Sequence, residues 1–325
     1  MRSLDDFPRV ALGHWPTPLE PCDRLRSQLG GPRIWLKRDD CSGLAFGGNK
    51  TRKLEFLLGD AEAQGSSAIV TFGAVQSNHA RQTAAACARL GLPCDLVLTD
   101  AVDRPTENYR RSGNRLLDDL FGATVHLVAD NDAAIIRAGE LAEADAGRYF
   151  IDPGGSSAVG ALGYVAAGIE LAAQLQEQGV EPDSVVVAAS TGGTSAGLTV
   201  GLVAAGVDAV VRSVAVYADA EHTAGSISRL IDQTAALVGI EAPAPHTWEV
   251  EGRALGDGYG IETAESHAAI FALAQAEGVL LDPVYTAKAF GDLLGASSDM
   301  DPNGDVVFLH TGGQPGVFAY ADAFA

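Results

Sequence analysis

Short β-branched runs alternate with longer helical patterns along almost the whole chain, and this alternation limits the possible folds more than any other feature. Strands are predicted at Ile34–Lys37, Ala68–Phe72, Cys94–Leu98, Thr124–Val128, Tyr149–Ile151, Ser184–Ala189, Ser213–Tyr217, Thr247–Val250 and Asp305–Leu309. Several of these apolar runs are nearly continuous, as in sheets that are covered on both faces. The sequence therefore predicts an α/β fold with parallel or mostly parallel twisted sheets flanked by helices.

The segments between the predicted strands carry apolar stripes at helical spacing. One stripe comprises Leu54, Leu57, Leu58 and Ala61, and another comprises Leu162, Val165, Ile169 and Ala172. A chain of 325 residues is long enough to divide into two lobes. Several predicted strands end in Gly or Ser turns that open a helix, and ligands of open α/β sheets bind at those carboxyl ends.

The charge balance excludes some partners. The chain has 42 acidic and 22 basic residues and a net charge of −20, so nucleic acid and anionic membrane surfaces are poor partners. The cysteines Cys22, Cys41, Cys87 and Cys94 have no metal-ligand spacing, which predicts reduced thiols and no metal site. The first residues lack the apolar core of a signal peptide, and no uninterrupted apolar run is long enough to span a bilayer. A cytoplasmic location is therefore expected.

Lysine is rare and unevenly placed. The chain has only four, Lys37, Lys50, Lys53 and Lys288, and two of them follow the pair Gly47-Gly48 within a few residues. Asn49 can cap a helix that begins at Lys50. A lysine at a helix N-terminus beside other cations has a lowered pKa, which favours imine formation. From the spacing alone, a solvated basic helix start explains this stretch as well.

Four further polar stretches lie at predicted turns. They are Gly73–Gln82, Ser190–Gly197, Asp282–Lys288 and His310–Gln314. The second joins small residues to a helix N-terminus, which is typical of a phosphate site, although it matches neither the P-loop nor the dinucleotide fingerprint. Each stretch also has an explanation that needs no function. Ser77 could cap a helix, the glycines could form tight turns, and Tyr285 and Tyr259 could be packing residues.

Taken together and in order, these stretches resemble one family. The resemblance runs through Pro16–Glu20, Trp35–Asp40, Gly47–Phe56, Gln76–Thr83, Glu107–Tyr109, Gly113–Leu117, Gly154–Tyr164, Thr191–Leu198, Leu281–Lys288 and His310–Gly313. The sequence is similar to the fold-type II enzymes that use pyridoxal 5'-phosphate (PLP), the tryptophan synthase β superfamily. Within them it resembles the group of D-cysteine desulfhydrases and 1-aminocyclopropane-1-carboxylate (ACC) deaminases.

The resemblance implies a role for each candidate residue. Lys50 would form the imine with PLP and move the α-proton of the substrate. The other implied PLP contacts are Asn78 at the ring hydroxyl, Thr191, Gly192, Gly193, Thr194 and Lys53 at the phosphate, and Thr286 and Thr311 near the pyridine nitrogen. The implied substrate contacts are Gln76, Ser77, Asn78 and His79, with Tyr285 and Tyr259 as catalytic residues beside Ser77. It also implies a homodimer, a large PLP-binding domain of residues 1–49 plus 163–325, and a small domain of residues 50–162.

Two positions favour one substrate. ACC deaminases carry Glu and Leu where this chain has Thr286 and Thr311, which is the pattern of the desulfhydrases. β-Elimination of a good sulfur leaving group needs less help from a protonated pyridine ring than cyclopropane opening does. The resemblance thus implies a carbon–sulfur lyase that converts D-cysteine to pyruvate, sulfide and ammonia. The alternatives are an L-cysteate sulfo-lyase or related β-substituted alanine lyase, an ACC deaminase, and a PLP-binding protein without turnover.

The sequence also departs from the family pattern. Glu262 stands where the family's Gly-Tyr-Gly-x-Pro motif has proline, and the phosphate loop reads Thr-Gly-Gly-Thr-Ser instead of Ser-Ala-Gly-Thr-His. The stretch that follows Tyr217 is unusually acidic. Cys41–Leu44 is similar to the matching stretch of L-cysteate sulfo-lyase. These departures bear on the substrate more than on the cofactor.

Overall fold

A computed structural model describes residues 1–100 and 102–324, and in them ten strands form two sheets. The strands are β1 (Leu19–Pro21), β2 (Arg33–Arg38), β3 (Ala68–Ala74), β4 (Cys94–Thr99), β5 (Thr124–Val128), β6 (Arg148–Ile151), β7 (Ser184–Ala189), β8 (Val210–Ala215), β9 (Trp248–Glu251) and β10 (Asp305–His310). The helices are α1 (Asp23–Leu29), α2 (Lys50–Ala63), α3 (Asn78–Leu90), α4 (Glu107–Arg111), α5 (Gly113–Leu120), α6 (Asn131–Glu143), α7 (Ala158–Gln178), α8 (Gly193–Ala204), α9 (Ala220–Val238), α10 (Ala264–Glu277), α11 (Thr286–Ala296) and α12 (Pro315–Ala319).

The two sheets are mostly parallel. The six-stranded sheet has the order β1-β2-β10-β7-β8-β9, and only the β1–β2 pair is antiparallel. The four-stranded sheet has the order β5-β4-β3-β6 and is parallel throughout. Central strands such as β4, β7 and β10 are buried at every position, because helices cover both faces. The predicted α/β class with mostly parallel sheets is confirmed.

The strands of the smaller sheet all come from residues 68–151, whereas the larger sheet takes its strands from both sides of that segment. The domain limits at residues 49/50 and 162/163 stay a prediction. Helices α2 and α7, which lie next to these limits, pack against each other.

One strand prediction is wrong in its limits. The strand predicted at Ser213–Tyr217 is Val210–Ala215, because Val210 pairs with Ser184 at the start of β7. Tyr217 consequently lies beyond the strand end, with 40% of its surface exposed. The short strand β1, which pairs Leu19 with Lys37, was missed because three residues carry no detectable alternation.

Helix α7 is long and apolar enough to cross a membrane by composition, with 21 residues and a mean hydropathy of 1.4 over its most apolar window. Its contacts within the protein account for that composition. Leu162 and Val165 are fully buried, and Tyr164 donates to the buried carboxylate of Asp39. The helix is therefore a core element that joins the two lobes.

A buried ionic network fixes helix α2 against this core. The Arg52 guanidinium donates to both oxygens of Asp39, each at 2.9 Å, and to Glu170 on α7 at 2.8 and 3.0 Å. Lys37 on β2 also donates to Glu170 and to the Thr17 carbonyl. Because Arg52 lies within one turn of both Lys50 and Lys53, the network determines where those two amines point.

Candidate active site

The predicted site stretches meet at the carboxyl ends of β3, β7 and β10, where two cavities adjoin. The smaller, a cradle at the start of α8, is lined by Asn49, Lys50, Lys53, Asn78, Ala188–Ser195, Tyr285 and Thr311. The larger is a cleft of about 620 Å³ lined by Lys50, Phe72–Ala74, Ser77–His79, Thr99, Val102, Asn131, Ile135, Pro153, Gly154, Ser190, Thr191, Tyr217, Tyr259 and Tyr285. The residues that line both are Lys50, Asn78, Ser190, Thr191 and Tyr285.

The cradle is built to hold an anion. Gly192 precedes α8 in a left-handed conformation, with φ of +84°, and no side chain caps the helix. The Gly193 N–H donates to Ser156 Oγ at 3.3 Å, and the N–H groups of Thr194 and Ser195 in the same turn remain available as donors. The Ser195 hydroxyl is also buried and has no hydrogen-bond partner among the described residues. An oxyanion in the cradle would satisfy these donors.

Lys53 brings a second amine to the same place. Its Nζ atom donates to the Gly154 carbonyl at 3.0 Å and to Ser156 Oγ at 3.3 Å. Burial, followed by the charge of Lys50, lowers the pKa of Lys53 well below its usual value. A Cβ atom at Gly193 would lie 2.7 Å from Ser156 Oγ and 3.0 Å from Lys53 Nζ, so the cradle requires a glycine there.

Lys50 differs from the other three lysines in its contacts. Lys37, Lys53 and Lys288 each donate to at least one main-chain carbonyl, which fixes their amines in structural positions. Lys50 Nζ donates only to Asn49 Oδ1, at 2.8 Å, within the described residues. Burial and the charge of Arg81 lower the pKa of Lys50 to about 8, despite the opposing effect of Asp282. Its amine is thus both accessible from the cleft and easily deprotonated.

Asn49 has a different role from the predicted one. Helix α2 does begin at Lys50, but the Asn49 side chain makes no capping bond. It instead donates to Thr194 Oγ1 at 2.9 Å and accepts from Lys50. Asn49 therefore connects the amine of Lys50 to the first turn of α8, a contact across 145 residues that spacing could not reveal.

The loop after β3 presents two side chains to the cleft. Ser77 Oγ accepts the Ala80 N–H at 3.1 Å as the cap of α3, which leaves its hydroxyl proton free to donate. Asn78 Oδ1 accepts from Asn114 Nδ2 at 2.8 Å, and this bond turns the Asn78 amide N–H₂ toward other partners. Both residues can therefore donate to an acceptor in the cleft, as a carboxylate or a ring oxygen requires.

Gln76 is placed differently from its three neighbours. Its amide donates to the carbonyls of Tyr109 and Ser112, and its Oε1 accepts the Asn114 N–H. It lines neither cavity. Its side chain instead fixes the segment that carries Asn114, which in turn orients Asn78. The predicted contact of Gln76 with a substrate remains a prediction.

His79 is a buried neutral imidazole. Burial and then the charges of Lys50 and Lys53 lower its pKa well below the usual value. The Thr71 hydroxyl donates to the Ile151 carbonyl at 2.8 Å, so in its 2.9 Å bond with His79 Nε2 the imidazole must be the donor. The Nδ1 atom then carries a lone pair and has no partner among the described residues.

Three tyrosines form the opposite wall of the cleft. The hydroxyls of Tyr259 and Tyr285 are hydrogen-bonded to each other, and the ring of Tyr217 packs edge-on to Tyr259 with centroids 5.1 Å apart. Burial raises the pKa of Tyr259 to about 12 and that of Tyr285 well above its usual value. Both phenols therefore keep their protons at neutral pH, and their hydroxyls can donate hydrogen bonds.

The two threonines predicted near a heterocycle nitrogen lie apart. Thr311 lines the cradle. Thr286 is fully buried and donates to Asp282 Oδ1 at 2.7 Å, and it lines neither cavity. The Asp282 carboxylate also accepts the N–H groups of Val284 and Tyr285, so this pair supports the turn that positions Tyr285.

Several residues of the site escaped the sequence analysis. Ser156 bonds to Thr191 at 2.6 Å and to Lys53, Asn114 orients Asn78, and Tyr217 closes one side of the cleft. The resemblance includes Gly154–Tyr164 and Gly113–Leu117, which are the sequence signals for Ser156 and Asn114. Tyr217 was assigned to a strand.

Comparisons with known proteins agree with this geometry. The model of a family described as pyridoxal-phosphate dependent enzyme matches residues 10–312. The chain is 42% identical to a D-cysteine desulfhydrase of Klebsiella pneumoniae (strain 342) and to one of Salmonella newport (strain SL254), with 98% of both chains covered in each case. It also resembles the crystal structure of an ACC deaminase homologue, at 37% identity and a TM-score of 0.88, over 98% of this chain and 96% of that one.

Proposed function

The chain belongs to the family of pyridoxal-phosphate dependent enzymes, and we propose that it converts D-cysteine to pyruvate, sulfide and ammonia. The observation that carries the proposal is the position of Lys50, whose amine is uncommitted and lies between an anion cradle and a cleft. The similarity to D-cysteine desulfhydrases over the whole chain supports the choice of substrate. The enzyme is then a carbon–sulfur lyase.

The residues present fit the coenzyme. A phosphate would lie in the cradle against Thr191–Ser195 and Lys53. There the Ser195 hydroxyl has no partner among the described residues, and no side chain caps the N–H groups of Thr194 and Ser195. Asn78 would donate to the ring hydroxyl, and Thr311 would face the ring. The coenzyme would supply an electron sink for the substrate α-carbon. The structure gives Thr286 no place in this set, so its predicted contact with the ring remains a prediction.

The chain's own groups supply orientation and protons. Ser77 and Asn78 donate to the substrate carboxylate from the first turn of α3, where the helix dipole favours an anion. The neutral amine of Lys50 accepts the α-proton, since its pKa is about 8. Tyr285 and Tyr259, which keep their protons, can donate a hydrogen bond to the departing sulfur.

Charge separates D-cysteine from L-cysteate. A sulfonate leaving group adds a second anion to the substrate and requires a cationic partner. Among the described residues that line the cleft, Lys50 is the only Lys or Arg, and its amine is needed for the coenzyme. A thiol requires no such partner. The cleft therefore favours D-cysteine, and sulfo-lyase activity is the less favoured alternative.

A substrate panel tests the proposal. D-Cysteine, L-cysteine, β-chloroalanine, L-cysteate and ACC are each incubated with the purified PLP-loaded protein, and keto acid is measured. We expect D-cysteine to give pyruvate and sulfide at the highest rate. Pyruvate and sulfite from L-cysteate, or ammonia with α-ketobutyrate from ACC, at a higher rate would contradict the assignment. A protein that is yellow but inert towards all five would be a PLP-binding protein without turnover.

Gly193→Ala is expected to weaken coenzyme binding by about ten-fold or more, because the added methyl group would overlap Ser156 Oγ and approach Lys53 Nζ. Gly139→Ala is the matched control, since a methyl group on Gly139 in α6 meets nothing within 4 Å. The dissociation constant for PLP, titrated into apoprotein by absorbance, measures the effect. Equal affinity in both variants would show that Gly193 does not face the phosphate.

The rate at which PLP attaches to apoprotein is expected to rise about five-fold between pH 7 and pH 8 and to level off above pH 9. The reason is the lowered pKa of Lys50, about 8, because only the neutral amine reacts. Stopped-flow absorbance measures this rate. A rate that keeps rising in parallel with an ordinary lysine, up to pH 10 and beyond, would contradict the lowered pKa.

We also propose a cytoplasmic homodimer. All four cysteines are free, which supports a reducing compartment, and the resemblance to the PLP enzymes supports the dimer. Analytical ultracentrifugation of the holoprotein at micromolar concentration measures the assembly, and a monomeric mass would contradict it.

A further inference from the structure

Arg81 is a buried charge to which the proposed reaction gives no role. It lies in the first turn of α3, and its side chain has no exposed surface. Burial lowers the pKa of its guanidinium to about 10, so the group stays charged at neutral pH. Among the described residues it forms no ion pair, and its hydrogen bonds go to a side-chain amide and to two main-chain carbonyls. Because burying an unpaired charge is costly, these contacts indicate what the charge does.

Two of these contacts hold a strained loop immediately before Lys50. The four residues 45–48 all have positive φ, from +48° to +127°, and two of them are not glycine. Such conformations persist only where the surrounding contacts enforce them. Arg81 Nη1 donates to the Ala45 carbonyl and, at 2.9 Å, to the Gly47 carbonyl. The guanidinium therefore holds this loop in the conformation that leads into α2 at Lys50.

The third contact reaches Asn78 through Asn114. Arg81 Nε donates to Asn114 Oδ1 at 3.0 Å, and Asn114 Nδ2 donates to Asn78 Oδ1 at 2.8 Å. Because a guanidinium only donates, Asn114 must turn its oxygen towards Arg81 and its N–H₂ towards Asn78. The Asn78 N–H₂ is then left for the cradle and the cleft, both of which Asn78 lines. Arg81 thus determines the direction of the amide that would contact the coenzyme ring.

The charge of Arg81 also acts on the Lys50 amine. Burial is the first cause of the lowered pKa of Lys50 and the charge of Arg81 is the second, while Asp282 opposes them. Burial raises the pKa of Asp118, the acid that acts on Arg81, to about 8, so its carboxyl cancels little of the charge at pH 7. The other titratable groups near Lys50 are Lys53, His79, Tyr259 and Tyr285.

We propose that Arg81 is a positioning residue for attachment of the coenzyme: it fixes the loop before Lys50, sets the direction of the Asn78 amide, and favours the neutral Lys50 amine through its charge. Arg81 itself lines neither cavity. The inference rests on the proposed attachment of PLP to Lys50. An Arg81 that only stabilised the fold would leave the pH dependence of this attachment unchanged.

Arg81→Met removes the charge together with its hydrogen bonds. PLP is added to apoprotein from pH 6 to pH 10, and the attachment rate is followed by stopped-flow absorbance. We expect the pH of the half-maximal rate to rise by about one unit and the rate at pH 7 to fall by about ten-fold. Arg89→Met is the matched control and should behave as the parent, since Arg89 lies on the same helix but donates only to the Leu12 carbonyl, at 3.1 Å.

Two variants of Asn114 separate orientation from charge and leave Arg81 in place. Asn114→Ala breaks the connection to Asn78, and it is expected to weaken PLP binding by about ten-fold without moving the pH of the half-maximal rate. Asn114→Asp puts a carboxylate beside the guanidinium and cancels its charge, so that this pH should rise by about one unit. Urea denaturation of each apoprotein shows whether the variants are folded, and the Asn114 pair tests the inference if Arg81→Met does not fold.

The outcomes separate this inference from the proposed function. Half-maximal rates at the parent pH in both Arg81→Met and Asn114→Asp would overturn the effect of the charge. Equal PLP affinity in Asn114→Ala and Arg89→Met would overturn the orientation of Asn78. Lower stability of Arg81→Met with neither change would make Arg81 purely structural and overturn the whole inference, while the proposed function would stand. A parent protein that does not attach PLP at Lys50 would overturn the proposed function, and the inference with it.

Discussion

Replacing Lys50 with alanine is expected to lower kcat for pyruvate formation from D-cysteine by about 10³-fold or more. Lys50 is the one lysine of the described chain whose amine is not committed to a main-chain carbonyl, and it lines both the cradle and the cleft. Its loss removes both the covalent attachment of the coenzyme and the base that accepts the α-proton. Steady-state pyruvate assays at saturating PLP measure the effect.

Two controls show whether the loss of activity comes from the amine of Lys50 or from a loss of folding. Lys50→Arg keeps the positive charge and much of the side-chain volume but cannot lose its proton, so it is expected to be equally inactive. The thermal unfolding midpoints of both variants should stay close to that of the parent apoprotein, because Lys50 makes only one hydrogen bond, to Asn49. Either variant with a steady-state rate near that of the parent would show that another group does this chemistry.

Arg52→Met is expected to reduce the free energy of unfolding by about 3–5 kcal/mol. The guanidinium is 2% exposed and is the main partner of the fully buried Asp39 carboxylate, which would be left uncompensated. Urea denaturation of the apoprotein at pH 7 measures the change. Coenzyme affinity should fall as well, since the same side chain positions the helix that carries Lys50 and Lys53.

Arg111→Met is the matched control for Arg52→Met. Arg111 pairs with Glu107 at 3.5 Å, but both side chains are 80% exposed, so its removal should change stability by less than about 0.5 kcal/mol. Equal losses of stability in the two variants would contradict the expectation that a buried ion pair contributes more to stability than an exposed one. A parent-like stability of Arg52→Met would show that the network contributes nothing net to folding.

The difference in the free energy of unfolding between the parent and Arg52→Met is expected to depend on pH in a definite direction. Burial alone would raise the pKa of Asp39 and of Glu170, but Arg52 holds both below their usual values in the folded protein. The stabilisation is therefore fully present above the unfolded pKa values, about 4, and is lost as pH falls through the folded ones. The stability difference between parent and Arg52→Met should accordingly be constant near neutrality and narrow in acid.

The α/β class, the positions of most strands and the start of helix α2 at Lys50 could be predicted from the sequence. Local signals carry this information, because continuous β-branched runs predict buried strands and glycine-rich turns predict helix starts. The limits of β8 could not be predicted, since Val210–Ala215 is no more apolar than Ser213–Tyr217 and only pairing with β7 favours it.

The roles of individual side chains were harder to predict from the sequence. Gln76 sits between Gly73 and Ser77 in sequence, yet its amide turns away to the segment around Asn114, and only long-range hydrogen bonding determines that direction. Thr286 is likewise bound to Asp282 rather than exposed to the cradle. Contacts between residues far apart in sequence decide these orientations, and spacing does not encode them.

The most direct test of the account is to reduce the holoprotein with borohydride, digest it and locate the coenzyme by mass spectrometry. The chain has only four lysines, so each possible attachment site gives a distinct peptide. We predict that the reduced pyridoxyl phosphate mass lies on Lys50 alone, with Lys37, Lys53 and Lys288 unmodified. The label on any of those three, or a Lys50 peptide of unchanged mass, would contradict the account.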